Sequence, residues 1–179
     1  MRDRLLDAVE RILVRDGVEA VRLDAVAREA GVSKGGLLHH FPSKQELVRG
    51  VVERLADRFD EVLPEPGCPP GAFTLAWLDA SIPGQSPTGD RSGIDRVPLA
   101  LVAAAGGPEV LGCLRERYAH WQRRLARDGL EPAVADLVRM AVDGWWMARL
   151  LDLGVPHDEA HNDLRARLVE LIRSNGGAP

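Results

Sequence analysis

The sequence predicts an all-α protein of about nine helices: a three-helix head containing a helix-turn-helix, then a larger helical part. Two observations carry that expectation. Apolar residues recur at three- and four-residue spacing from Leu5 to Ile172, with no strand-like alternation of any length. Residues 17–44 also set helix, glycine turn, second helix and stop signals in immediate succession.

Taken in order, Leu5, Leu6, Val9, Ile12 and Leu13 form the face of a first helix that ends before Gly17. Residues 24–30 place Val26, Ala27 and Ala30 on one face in barely two turns, and Gly31 supplies the positive φ that ends them. Val32 is expected to bury between helices, and Ser33 offers an N-cap hydroxyl to the next one. That helix, residues 34–41, turns Leu37 and Phe41 inward and leaves Lys34, Gly35, Gly36, Leu38 and His39 outward. Pro42 stops it. Ser43 caps a long fourth helix reaching Leu63, with Glu46 at the capping-box position.

The proline- and glycine-rich residues 64–71 end the fourth helix, and residues 73–82 make a short fifth. Residues 83–92 read as a loop, and Pro98 opens a small apolar helix to Ala105. Val110, Leu114, Tyr118, Trp121 and Leu125 hold a seventh helix, closed by Asp128 and Gly129. Residues 132–153 form an eighth, and Leu164, Leu168, Leu171 and Ile172 the last.

The eighth helix is apolar nearly all round, apart from a stripe of Asp136, Arg139 and Asp143, so it must be covered on more than one side. One flank, Leu137, Ala141, Gly144, Ala148 and Leu151, is small enough for close helix approach. With Leu164 and Leu168 of the last helix it reads as half of a four-helix bundle completed by a second copy, a homodimer. Trp145 reads as core. Trp146 and Met147 flank Asp143, and with Phe73, Trp77 and Trp121 they give an aromatic-plus-carboxylate site for a flat or cationic ligand. The alternative, that the tryptophans only fill the core, stays open.

At 179 residues and 45% apolar composition the chain buries a real core and is not disordered. No apolar run is long enough to span a bilayer, so no membrane partner is expected. Acids at positions 3 and 7 break any signal-peptide pattern, which places the protein in the cytoplasm. Cys68 and Cys113 are too few for a disulfide framework and read as free thiols. The net charge of −4 is uneven: residues 1–50 hold nine basic against eight acidic side chains, and residues 51–179 hold 14 against 19. Both lysines belong to this region, Lys34 at the start of the motif's second helix and Lys44 just after its end. That local patch fits a double-stranded DNA site read by two copies.

Residues 31–44, preceded by Val26-Ala-Arg-Glu-Ala30, resemble the head of a TetR-family transcriptional regulator, over about residues 5–52. The resemblance implies a DNA-binding domain at 1–45, with its motif at about 22–41, and a ligand-binding and dimerisation domain at 46–179. It implies a homodimeric repressor on an inverted-repeat operator, released by a small hydrophobic or cationic effector. Lys34, Gly36, His39 and Lys44 fall at the family's DNA-contact positions, with Arg22 at the cap of the motif's first helix. The family often has Thr where Arg22 stands, and hydroxyl-bearing residues at Gly36 and Leu38. The residues themselves agree with DNA contact: helix N-termini and glycine N–H groups suit phosphate, which adds Ser33 and Gly35 to the set.

Other chemistry is thin. No nucleophile–base pair is readable, so an enzyme is not expected, nor is any cofactor. His157 and His161 stand at i, i+4, but a zinc-protease helix needs Glu directly after the first His, where Asp158 sits. His39 reads as groove-facing beside a packed His40. A helical interaction module that kept the head without DNA binding is the remaining alternative.

Overall fold

The computed structural model describes residues 1–82 and 99–176. Among these the chain is all-helical: α1 (Arg2–Asp16), α2 (Leu23–Ala30), α3 (Lys34–His40), α4 (Lys44–Glu61), α5 (Ala72–Ser81), α6 (Leu99–Ala105), α7 (Pro108–Leu125), α8 (Pro132–Leu151) and α9 (Asp158–Asn175), with one 3₁₀ turn at Val18–Ala20. Boundaries read from periodicity and turn chemistry fall within about two residues of these, as expected where helix ends fray. The loop expected at 83–92 and the opening role of Pro98 lie outside the described residues. No helix among the described residues is long and apolar enough to cross a membrane.

The described residues form two compact units. The first holds residues 1–58 and 99–117, the second residues 59–82 and 118–176, so α4 and α7 each contribute to both. In the first unit, Leu5, Val9, Ile12, Val26, Leu37, Phe41, Leu47, Val51 and Leu55 bury together, joined by Val102, Val110 and Leu114. Val32, at the turn, is half-buried against them.

Polar ties fix α4 against its neighbours in this unit. Arg54 pairs with Asp7 at 2.7 Å and Glu10 at 2.6 Å, and Arg58 pairs with Glu10 at 3.0 Å. Gln45 donates to Glu109 at 2.9 Å. Gly50 is where a side chain is excluded: a Cβ there would stand 2.9 Å from the Phe41 ring and 3.3 Å from Leu6.

In the second unit, Phe73, Trp77 and Leu78 of α5 are buried, as are Val134, Val138, Val142 and Trp145 of α8 and His161, Leu168 and Ile172 of α9. The start of α5 is capped by a residue distant in sequence. Asp128 is buried, and it accepts the backbone N–H groups of Phe73 at 3.2 Å and Thr74 at 2.7 Å. These are donors that the first turn of a helix leaves unpaired, and a carboxylate there also suits the helix dipole.

α8 is covered on one side by its own chain. Its other side leaves Leu137 56%, Met140 60%, Met147 54% and Leu151 56% exposed, with Gly144 among them. The spacing of three and four residues makes them one continuous stripe.

Candidate nucleic-acid interface and effector site

The motif is built from short-range interactions. Gly31 adopts φ 64°, ψ 41°, and its N–H bonds the carbonyl of Arg28, closing α2. Two residues later the Ser33 hydroxyl accepts the N–H of Gly36 at 3.0 Å and starts α3. The same device recurs at α4, where the Ser43 hydroxyl accepts the N–H of Glu46 at 3.1 Å. The Glu46 carboxylate itself lies 3.6 Å from Arg49.

With Leu37 buried and Leu38 half-buried, α3 presents Lys34, Gly35, Gly36 and His39 to solvent. Lys34 pairs with the exposed Asp24 at 3.0 Å, and a surface pair of this kind is readily exchanged for another anion. Arg22 is exposed at the start of α2 and makes no side-chain cap there. Lys44 is exposed at the first residue of α4. The eight residues singled out in the sequence thus fall in one short capped region of the first unit. His40, expected to be packed, is exposed and meets His39 edge-on at 5.3 Å.

In the second unit the aromatic and acidic residues separate into groups. Trp121 is buried, and its indole N–H donates to Asp60 at 2.6 Å, with its ring 4.8 Å from Phe59 and 6.0 Å from Tyr118. Tyr118 donates its hydroxyl to Asp143, whose other oxygen receives Arg139 at 3.3 Å. Burial pushes the Asp143 carboxyl above its ordinary range. Phe59, Asp60 and Tyr118 were not expected at a ligand site, because helical spacing marks a face without saying which faces meet.

The other expected ligand residues lie apart from this cluster's bonds. Trp146 is half-buried and edge-on to Trp145 at 5.3 Å, with Arg149 over both rings at 5.2 and 5.5 Å. The indole N–H of Trp145 is buried without a hydrogen-bond partner among the described residues, a cost of about 1–3 kcal/mol. Phe73 and Trp77 are core residues of α5. Met147 belongs to the exposed stripe of α8 rather than to a pocket wall.

Of the residues expected at a dimer surface, Leu137, Gly144 and Leu151 are exposed. Ala141, Ala148 and Leu164 are half-buried, and Leu168 is buried in its own chain at 6% exposure. Met140, absent from the sequence reading, stands in the stripe.

His161 packs at 5.9 Å from the Trp145 ring, and His157 lies exposed before α9. No group of three metal-ligating side chains forms among the described residues. Cys113 is half-buried and accepts a hydrogen bond from Arg49 at 3.3 Å.

Residues 5–51 match the family model of bacterial regulatory proteins, tetR family, and residues 71–173 match a Tetracyclin repressor-like C-terminal domain. The chain belongs to the TetR family. TetR-family members are transcriptional regulators that bind DNA. Similar relatives include the transcriptional regulator AlkX of Mycobacterium tuberculosis, 32% identical over 112 residues, 62% of this chain and 51% of AlkX. The transcriptional repressor KstR of Mycolicibacterium smegmatis is 42% identical over 59 residues, 33% of this chain and 29% of KstR. The matched region therefore spans about half of AlkX and less of KstR. Among solved structures, a Rhodococcus transcriptional regulator superposes with TM-score 0.75 at 23% identity over 100% of both chains. The multidrug binding protein EbrR, complexed with malachite green, gives 0.68 at 23% identity over 96% of this chain and 97% of that one. The TetR fold therefore extends over both units.

Proposed function

We propose that this TetR-family chain is a cytoplasmic homodimeric repressor that binds an inverted-repeat operator through α3 and leaves it when a flat cationic or aromatic effector occupies the Tyr118–Asp143 region. The observation that carries the DNA reading is α3 itself. It is a helix fixed by its Ser33 cap, with two glycines and a lysine at its exposed start, and it suits insertion by its N-terminal end into a major groove. Arg22, Leu38, His39 and Lys44 flank it, and residues 1–45 make up the DNA-binding domain. Two copies would read half-sites about 34 Å apart, or a multiple of that.

The exposed stripe of α8 is the surface proposed for the second copy. Leu137, Met140, Gly144, Met147 and Leu151 form its centre, Ala141, Ala148 and Leu164 its margin. Leu168, committed to its own core, drops out.

For the effector, Asp143 and Asp60 beside Tyr118, Trp121 and Phe59 offer negative charge against aromatic faces. EbrR has been solved with malachite green and with ethidium, both aromatic cations. α4 supplies Phe59 and Asp60 to this cluster, while its first turns hold Ser43 and Lys44 beside the motif. An effector bound there acts on DNA affinity only by its preference for one placement of α4, with couplings of about 1–3 kcal/mol being typical.

The test is a titration of operator DNA, recovered by genomic pull-down, at several salt concentrations. Lys44→Ala is expected to weaken binding to all sequences and to flatten the salt slope by about one unit. A loss confined to one base position, with the slope unchanged, overturns the phosphate role of Lys44.

A further inference from the structure

His120, Arg123 and Arg124 on the last turns of α7, with Arg127 in the turn just after it, line a surface cleft of about 530 Å³ within the second unit. Cys68 and Pro70, from the segment joining α4 to α5, form its other wall. None of these residues takes part in the bonds around Asp143.

Arg124 is fixed in place. Its guanidinium lies over the Phe73 ring at 4.1 Å and donates to the carbonyl of Pro64. Arg123, in the last turn of α7, and Arg127, in the turn just beyond its end, are both exposed, and no acid among the described residues pairs with either. Asp128 reaches the lining, but its oxygens are taken up by the N–H groups of Phe73 and Thr74 and by the Thr74 hydroxyl. The wall is kept close by Gly129, at φ +76°, where a Cβ would stand 2.9 Å from Pro70.

The volume lies in the range of small-molecule sites, about 300–1,000 Å³. Guanidinium groups hold carboxylates and phosphates through paired N–H donors. We propose that this cleft binds a small organic anion, with its carboxylate or phosphate on Arg123 and Arg127 and its apolar part against Pro70 and Cys68. Such an anion supplies the negative charge that no acid among the described residues gives to Arg123 and Arg127.

Cys68 lies in the cleft and Cys113 in the first unit, so alkylation by iodoacetamide, resolved by peptide mass spectrometry, reads the site with an internal control. 1-Naphthoate or 1-naphthyl phosphate is expected to slow modification of Cys68 several-fold and saturably, leaving Cys113 unchanged. Whichever anion protects at the lower concentration names the headgroup. Neutral 1-naphthylmethanol is expected to protect little, a comparison that needs only the unaltered protein. Arg123→Gln with Arg127→Gln is expected to abolish protection at unchanged helicity. No saturable protection by either anion, equal protection by the alcohol, equal slowing at Cys113, or protection that survives the double variant each overturns the proposal.

Discussion

One oxygen of Asp128 accepts both the backbone N–H and the side-chain hydroxyl of Thr74, each at 2.7 Å, inside the second unit. Both residues are buried, and the carboxylate caps a helix that begins more than fifty residues earlier in the chain. Asp128→Ala leaves the α5 N–H groups buried and unpaired and is expected to cost about 3 kcal/mol, with Thr74→Val costing about 1–2 kcal/mol. Chemical denaturation of both variants and the double variant checks this. Additive losses would show that the two side chains do not share one interaction.

Gly35 separates fold stability from DNA recognition. A Cβ there meets only the Ser33 hydroxyl, at 4.0 Å, so Gly35→Ala is expected to stabilise α3 by up to about 1 kcal/mol. If the backbone of α3 approaches phosphate as proposed, the same methyl lowers operator affinity. Thermal melting and operator titration should move in opposite directions. Unchanged affinity in a more stable variant removes Gly35 from the interface.

The exposed stripe of α8 is tested by Gly144→Leu and Met140→Glu. No described residue beyond its own helix lies within 4 Å of a Cβ at Gly144, so that variant is expected to keep its helicity. Both variants are expected to sediment as monomers and to lose operator affinity. An intact dimer for both would move the interface elsewhere.

Asp143 gives a pH signature. Burial raises its pKa, so the folded protein holds a proton at pH values where the unfolded chain has released it. Stability contributed by this group is therefore present below the ordinary carboxylate range and lost as pH rises through the raised value. Asp143→Asn is expected to gain on the parent above that window and to lose the advantage below it, in denaturation series run across acid pH. The same variant should weaken binding of ethidium or malachite green, read by tryptophan fluorescence, more than that of a neutral aromatic. Cation binding indifferent to the change would detach Asp143 from the effector site.

The motif was legible because its determinants are local. Gly31, Ser33 and Ser43 each act within three residues, and sequence spacing displays that directly. The second unit depends on partners far apart in the chain. Nothing in the sequence pairs Asp128 with Thr74, or Tyr118 with Asp143, because periodicity marks a buried face without saying what covers it. The same limit governs α8 and α9. Small residues pointed to the flank of Ala141 and Ala148, whereas the exposed stripe runs through Met140 and Met147. Leu168 carries the same periodic mark as an interface residue, yet it faces its own core.

Gly50 sets a mechanical condition on the first unit. With hydrogen alone in place of a side chain, α4 lies against the Phe41 ring, and Arg2 covers that ring at 5.1 Å. Phe41 immediately follows α3, and α4 starts only three residues later. That turn therefore has little freedom to act as a joint. A tilt in the first turns of α4 carries the end of α3 with it, and α3 is steered as a wheel fixed to its axle.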